Sequence, residues 1–438
     1  MTQYPYEQPS DDTPTPPQGF PAPQTFQPPE PPRPPNRRRG LIIAAIVAVI
    51  ALAAGTVVTV MAFNRSDSVA GAASPREATE QILNAFTKGD LSGAAATLAP
   101  AEAALVGDLL KDAVDNLKRL EVLKPEANTQ NVSGVQLETK NLTFDEANAE
   151  RINDRLTVTK LTGGTITIHE DASKIPLTDR FLDILFPRGR DTKPSTRTVD
   201  IAEEIKREGR PIRIATVKHE DKWYPSLFYT IADEMLREAK EKWPSAPIPA
   251  NGAASPGDAV RDLVQAAGAE DGRRLIELLP PDEMGVLHDT GPLLLDSVLG
   301  KSRPQQVRIH KFDTETQQVT GGTKVLPKEI DIEVGSDRFT LRKDGDCFDT
   351  SENGERERMC GSEVAGELEK EFGEKMPPGV RQAFTNIFSG VFKNGLGVVT
   401  TQVDGKWYVS PFRTFGGFAI TILQSITPQD LKVIIDGE

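Results

Sequence analysis

The chain has 438 residues, more than one hydrophobic core holds, because single cores rarely grow past about 250–300 residues. With 38% hydrophobic and 26% charged residues it is neither collagen-like, nor wholly disordered, nor a polytopic membrane chain. A net charge of −13, from 51 Lys+Arg against 64 Asp+Glu, opposes attraction to polyanions, so no nucleic-acid partner is expected.

Residues 1–36 contain 13 of the 34 prolines and few aliphatic side chains. Such a segment lacks the apolar surface to build a core, which predicts a disordered, Pro-rich cytoplasmic tail over 1–40. Thr13 and Thr15, after Asp11-Asp12, are within reach of a kinase there, an inert spacer being the plainer reading. The 23-residue run Leu41 to Phe63 carries no charge and is long enough to cross a bilayer as a helix. Arg37-Arg38-Arg39 precede it, which under the positive-inside rule places the amino terminus in the cytoplasm and everything after a short linker (64–73) outside the cell. The expectation is a single-pass membrane protein. A cleaved signal near Ala70-Gly71-Ala72 is the alternative, although a leader of this length is unusual for one.

The remainder is duplicated. Gly71-Ala72-Ala73-Ser74-Pro75 recurs 181 positions later as Gly252-Ala253-Ala254-Ser255-Pro256. At the same offset Leu98, Pro100 and Glu102 match Leu279, Pro281 and Glu283. Lys222-Trp223-Tyr224 matches Lys406-Trp407-Tyr408 at offset 184. Two copies of one external domain are expected, 74–243 and 255–438, joined by a Pro/Ala/Gly-rich linker over 244–254.

Each copy opens with a helix whose start is written locally. Ser74 or Ser255 serves as the cap, Pro75 or Pro256 fits the first turn, and an acidic residue follows at the capping-box position. A second helix, Ala101 to Leu120, follows in the first copy and a shorter one in the second. Alternating apolar residues then take over: Leu156, Val158, Ile166 and Ile168 in one copy, Ile330, Ile332 and Val334 in the other. Thr162-Gly163-Gly164-Thr165 and Thr320-Gly321-Gly322-Thr323 read as turns. Each copy closes on a hairpin, one turning at His219-Glu220-Asp221 and the other at Asp404-Gly405. Helices before strands make the class α+β, each copy having N-terminal helices packed on a curved antiparallel sheet.

This order, ending in Asp404-Gly405-Lys406-Trp407-Tyr408-Val409, resembles the nuclear transport factor two-like family of cone-shaped α+β domains. The whole layout, tail, Arg-flanked span and tandem external domains, resembles actinobacterial cell-envelope proteins. The resemblance implies a concave apolar cavity between helices and sheet, used in that family for small-ligand binding, catalysis or dimerisation.

The two cysteines flank Asn353-Gly354, each six residues from that turn. A two-residue hairpin loop there sets Cys347 directly opposite Cys360 and Asp349 opposite Arg358, with Glu352 facing Glu355 less favourably, so a disulfide-stapled hairpin is expected. The loop also has a partial calcium-binding spacing in Asp349, Ser351 and Asn353, but its twelfth position is Cys360 rather than a glutamate, so no metal site is assigned. No cofactor fingerprint, nucleophile elbow or phosphate loop occurs.

Four histidines leave little material for catalysis. His169-Glu170-Asp171 and His219-Glu220-Asp221 offer an imidazole beside acids, although both read more simply as strand ends and turns. Phe384, Phe388 and Phe392 at helical spacing, with Trp223 and Trp407 on the closing strands, are candidates to line a cavity, core packing being the plainer role. The expected function is a membrane-anchored, non-enzymatic envelope protein binding a partner protein or apolar ligand. The alternative is an envelope enzyme, or enzyme accessory, with a cavity histidine as acid or base.

Overall fold

The computed structural model describes residues 71–85, 91–185, 193–296, 305–372 and 376–437. The Pro-rich tail, the run Leu41 to Phe63 and the linker up to residue 70 lie outside these. Among the described residues no helix is long and apolar enough to cross a membrane, so the structure carries no helix for the expected single-pass anchoring, and the run Leu41 to Phe63 on which that expectation rests lies outside them. The helix Pro100–Arg119 has the length to span, but it carries Glu102, Asp108, Lys111 and Asp115 along its course, and each such charge is costly in hydrocarbon.

In the first half, α1 (Pro75–Ala85), α2 (Leu91–Ala96) and α3 (Pro100–Arg119) precede the sheet. The start of α1 is as its residues dictate: Glu77 N–H donates to Ser74 Oγ at 3.2 Å and the Glu77 carboxylate accepts from Ala73 N–H at 3.0 Å. The strands are β1 (Val135–Phe144), β2 (Glu150–Arg151), β3 (Leu156–Glu170), β4 (Ser195–Asp200), β5 (Ile212–His219) and β6 (Lys222–Pro225). Helices α4 (Asp179–Leu185) and α5 (Ile201–Glu208) interrupt them, and α6 (Leu227–Glu238) follows. Strand β3 is the spine, with β1 on one side and β5 and β4 pairing successive stretches of the other, all antiparallel.

The second half repeats the plan with α7 (Pro256–Gly268), α8 (Gly272–Glu277) and α9 (Gly285–Leu294), then β7 (Val307–Val319), β8 (Gly322–Val334) and β9 (Asp337–Asp344). An additional hairpin, β10 (Cys347–Glu352) and β11 (Glu355–Cys360), and helices α10 (Gly361–Phe372) and α11 (Pro378–Asn394) come before the closing strands β12 (Val398–Val403) and β13 (Lys406–Val409). Helices α12 (Pro411–Ser425) and α13 (Pro428–Asp436) end the chain's described part. Here β8 is the spine, flanked by β7 on one side and by β9 and β12 on the other.

The duplication survives at the level of single hydrogen bonds. Ala72 bridges Trp223 and Ala253 bridges Trp407. The Thr216 hydroxyl donates to Thr157 O and the Thr400 hydroxyl to Thr323 O, each at 3.0 Å. The repeated glycine has a steric cause: a Cβ on Gly71 would lie 2.4 Å from the Tyr224 ring, and one on Gly252 2.7 Å from that of Tyr408. One expected turn is wrong. Gly321 turns between β7 and β8, whereas Gly163-Gly164 lies inside β3, where Gly164 takes φ +107° at an irregularity in the β1 pairing.

The halves pack on each other about a pseudo-twofold. Phe228 and Phe412, equivalent by the 184-residue offset, meet with ring centroids 5.3 Å apart. From the first half Ala113, Leu120, Val122 and Phe181 share one core with Val380, Ile387, Leu423 and Ile434 of the second. The Arg119 guanidinium donates to Leu423 O at 2.6 Å and Ile426 O at 2.9 Å, satisfying carbonyls at the end of α12. The linker 244–254 is docked rather than loose: Ile248 is buried and its N–H donates to His288 O at 2.9 Å.

Candidate functional site

The disulfide is where the register placed it. Cys347 pairs with Cys360, Phe348 with Met359 and Asp349 with Arg358, and the two sulfurs are bonded. Asp349 accepts from Arg358 at 2.8 Å and from Arg342 at 3.2 Å, and these guanidinium groups hold its carboxyl below the usual carboxylate range. Among the described residues no group of His, Cys, Asp or Glu is arranged to hold a metal ion.

Of the residues expected to line a cavity, Phe384, Phe388, Phe392, Trp223 and Trp407, none is on the wall of the three pockets described below. Phe384 and Phe388 stack on one another along α11, and Phe392 is buried against Phe348, so the stripe packs into the core shared by the two halves. Trp223 and Trp407 lie at the Ala72 and Ala253 bridges, on opposite halves. The aromatics are spent on helix packing. Phe415, on α12, is 73% exposed.

The histidines are similarly scattered. His169 ends β3 with its Nδ1 3.0 Å from Thr196 Oγ1, and His219 ends β5 at the closing turn. His288 is buried between the Ile248 and Leu279 carbonyls. His310 edges a groove of about 550 Å3 with Ser255, Asp258 and Lys311.

A larger cavity, about 830 Å3, lies within the second half, between its sheet and α12, with α3 of the first half as an added wall. Leu109, Leu326, Val399 and Ile420 give it apolar sides, while Lys324, Lys343, Arg413 and Asp112 bring charge. Its size falls in the range of small-molecule sites. Arg413 is already committed: it donates to Glu283 at 2.6 Å and to Asp108 of the first half at 2.9 Å. Asp112 is half-buried, and desolvation raises its pKa against the effect of a hydrogen bond from Thr320.

Lys324 is different. It sits on β8 with 7% of its surface exposed, and its ammonium donates to Thr421 Oγ1 at 3.3 Å. Among the described residues no carboxylate pairs with it. Burial, and then the nearby Lys343, lower its pKa. Buried ammonium groups are ordinarily paired, because the solvation they lose is large.

The first half treats the same space in the opposite way. Val158 pairs with Ala215 as Lys324's neighbour Val325 pairs with Val398 and Lys324 itself with Val399, so Val158 is the counterpart of Lys324 and is fully buried. Gly397 and Gly417 stand where the first half has Arg213 and Asp233. There Arg213 grips Asp233 at 2.6 and 3.0 Å and Glu150 at 2.6 and 3.0 Å, and Trp243 Nε1 adds a bond to Asp233 at 3.3 Å. Hydrogen bonding to Arg213 brings the Glu150 pKa down to about 2. Tyr229 stacks on Trp243 and completes the filling. A recess of about 730 Å3 between α5, β5 and α6 remains, edged by Arg197, Glu204, Arg207 and Glu234 in mixed sign.

A cavity between helices and sheet was expected only from the resemblance, and Lys324 was not apparent at all, since Gly322-Thr323-Lys324-Val325 reads as an ordinary strand with one cation. The available signal lay in the duplication, since at offset 184 an Arg and an Asp face two glycines. Comparison with known proteins finds no matching family, no matching curated protein and no matching solved structure.

Proposed function

We propose that the protein is an extracytoplasmic, non-enzymatic binding protein whose second half takes up a small, largely apolar ligand. Its first half acts as the structural partner that completes the wall. The observation that carries this reading is a difference between two copies of one plan: the corresponding spaces are similar in size, about 730 and 830 Å3, but Arg213 is clamped between Asp233 and Glu150 in the first, whereas the second has glycines in place of Arg213 and Asp233 and a buried Lys324 with no carboxylate partner among the described residues. Natural interiors are close-packed and buried charges are ordinarily paired, so a hollow that size with an unpaired ammonium in its wall is a feature with a use. The disulfide supports an oxidising compartment, where such bonds persist.

The nuclear transport factor two-like resemblance accords with a cavity between helices and sheet. The histidine-based enzyme reading loses its support, because none of the four histidines lines this cavity. The test is fluorescence titration of the full chain with the apolar probe N-phenyl-1-naphthylamine. Saturable binding is expected, and it should vanish when Gly417→Leu fills the cavity. Saturable binding that persists in that variant, or no binding to the wild-type chain, would overturn the reading.

A further inference from the structure

We infer that the ligand of the second-half cavity is a carboxylate-bearing amphiphile, with Lys324 as the buried countercharge for its head group. This rests on the reading of that cavity as the binding site and adds the chemical class of what enters it.

The walls set two requirements. Leu109, Leu326, Val399 and Ile420 form an apolar stretch that favours hydrocarbon, beside a polar remainder that includes Gln317, Gln318, Asn394 and Gln424, so the ligand is amphiphilic rather than wholly apolar. The floor asks for an anion: Lys324 is nine-tenths buried, lines the cavity, and spends one of its three N–H donors on Thr421. Thr421 is itself oriented, since its hydroxyl donates to Gly417 O at 2.8 Å and turns an oxygen lone pair to the lysine. Lys343 lines the same cavity and adds a second positive charge, with its Nζ donating to Lys393 O at 3.0 Å.

The protein's own acids do not meet this demand. Asp108 is held by Arg413 and Asp112 by Thr320, and Glu315, exposed on β7 at the edge of the cavity, makes no ion pair with Lys324. The first half, whose counterpart position is Val158, has no such demand. A carboxylate also suits the donors better than a phosphate. The one guanidinium on the wall, which would grip phosphate oxygens in a fork, is engaged by Glu283 and Asp108, leaving ammonium groups that act as point charges.

The experiment is displacement of N-phenyl-1-naphthylamine from the full chain by dodecanoate, dodecanol and dodecyl phosphate, in wild type, Lys324→Met and Lys324→Arg. Dodecanoate should displace the probe at least tenfold more tightly than dodecanol. Lys324→Met should bring acid and alcohol level, each read against the probe affinity of that variant, and Lys324→Arg should keep most of the preference. Equal displacement by acid and alcohol in the wild-type chain, or an undiminished preference in Lys324→Met, would reject the anionic head while leaving the cavity as a binding site. Tighter displacement by the phosphate than by the carboxylate would reject the carboxylate. If the probe itself does not bind, the cavity reading falls and this inference falls with it.

Discussion

The interiors of the two halves are the instructive pair. Both put a helix from the closing segment, α6 or α12, over an antiparallel sheet with the same spine and the same threonine bond between neighbouring strands. In the first half the space is bordered by a guanidinium between two carboxylates, a solution that stands only because each charge has its partner in good geometry. In the second half two glycines replace those charges, and a lysine stands where a valine would seal the core. The same backbone carries a clamped guanidinium in one copy and a buried lysine without a carboxylate partner in the other.

The sharpest way to break that contrast is at the filled end. Arg213→Met leaves Asp233 buried beside Glu150 with no guanidinium, and about 3–5 kcal/mol of stability should be lost, as for other broken buried pairs. Chemical denaturation of the variant reads this directly; a loss below about 1 kcal/mol would show that the network is solvated and the first half not truly filled. Next in size is the staple found only in the second half. Closing a loop of about 14 residues contributes roughly 3 kcal/mol, so Cys347→Ser with Cys360→Ser should lower the denaturation midpoint accordingly. Thiol counting under denaturing, non-reducing conditions should find none free in the wild-type chain.

The two copies also bury one carboxylate each beneath the closing helix. Glu102 accepts from the Ser226 hydroxyl and from Leu227 N–H at 2.8 Å, while its counterpart Glu283 accepts from Ser410 at 2.6 Å and additionally from Arg413. Burial pushes Glu102 up to about 7. Its folded pKa lies above the unfolded value of about 4.3, so the folded state holds the extra proton and stability falls as pH rises from about 4.5 through 7. Glu102→Gln should flatten that slope, by on the order of 2–3 kcal/mol across the window. An unchanged pH profile would mean that the carboxyl is already ionised, its helix N-terminus outweighing its burial.

At the pseudo-axis, Phe228→Ala and Phe412→Ala should cost nearly the same, about 2 kcal/mol each. That is about half the value for a fully buried ring, since Phe228 and Phe412 are both half-buried. Strongly unequal costs would argue that the interface is not symmetric in energy. The smallest effect is expected at the open end. Lys324→Met removes an unpaired buried ammonium and should raise stability by about 1 kcal/mol in the absence of ligand, the mark of a residue retained for binding rather than folding. A clear loss of stability would make Lys324 structural.

The local features were legible in the residues. Ser74 and Ser255 cap the helices they precede, Asp404-Gly405 turns the closing hairpin with φ 49° and 75°, and the Asn353-Gly354 turn sets the cysteines face to face. Such features rest on contacts between residues a few positions apart, so the local sequence carries the whole cause. The duplication was legible for a related reason, since both copies keep the small residues that a tyrosine ring packs against.

What only the tertiary structure decided was the fate of side chains whose neighbours are distant. The aromatic stripe of α11 went to the shared core because α12 and α13 cover it, and Lys324 became buried because α12, about a hundred positions on, folds over β8. The cavity wall even includes α3 of the other half, more than two hundred residues before the lysine it encloses. Burial, and with it the affinity of an amine for its proton or for an anion, depends on which surfaces exclude water together, and no local pattern encodes that.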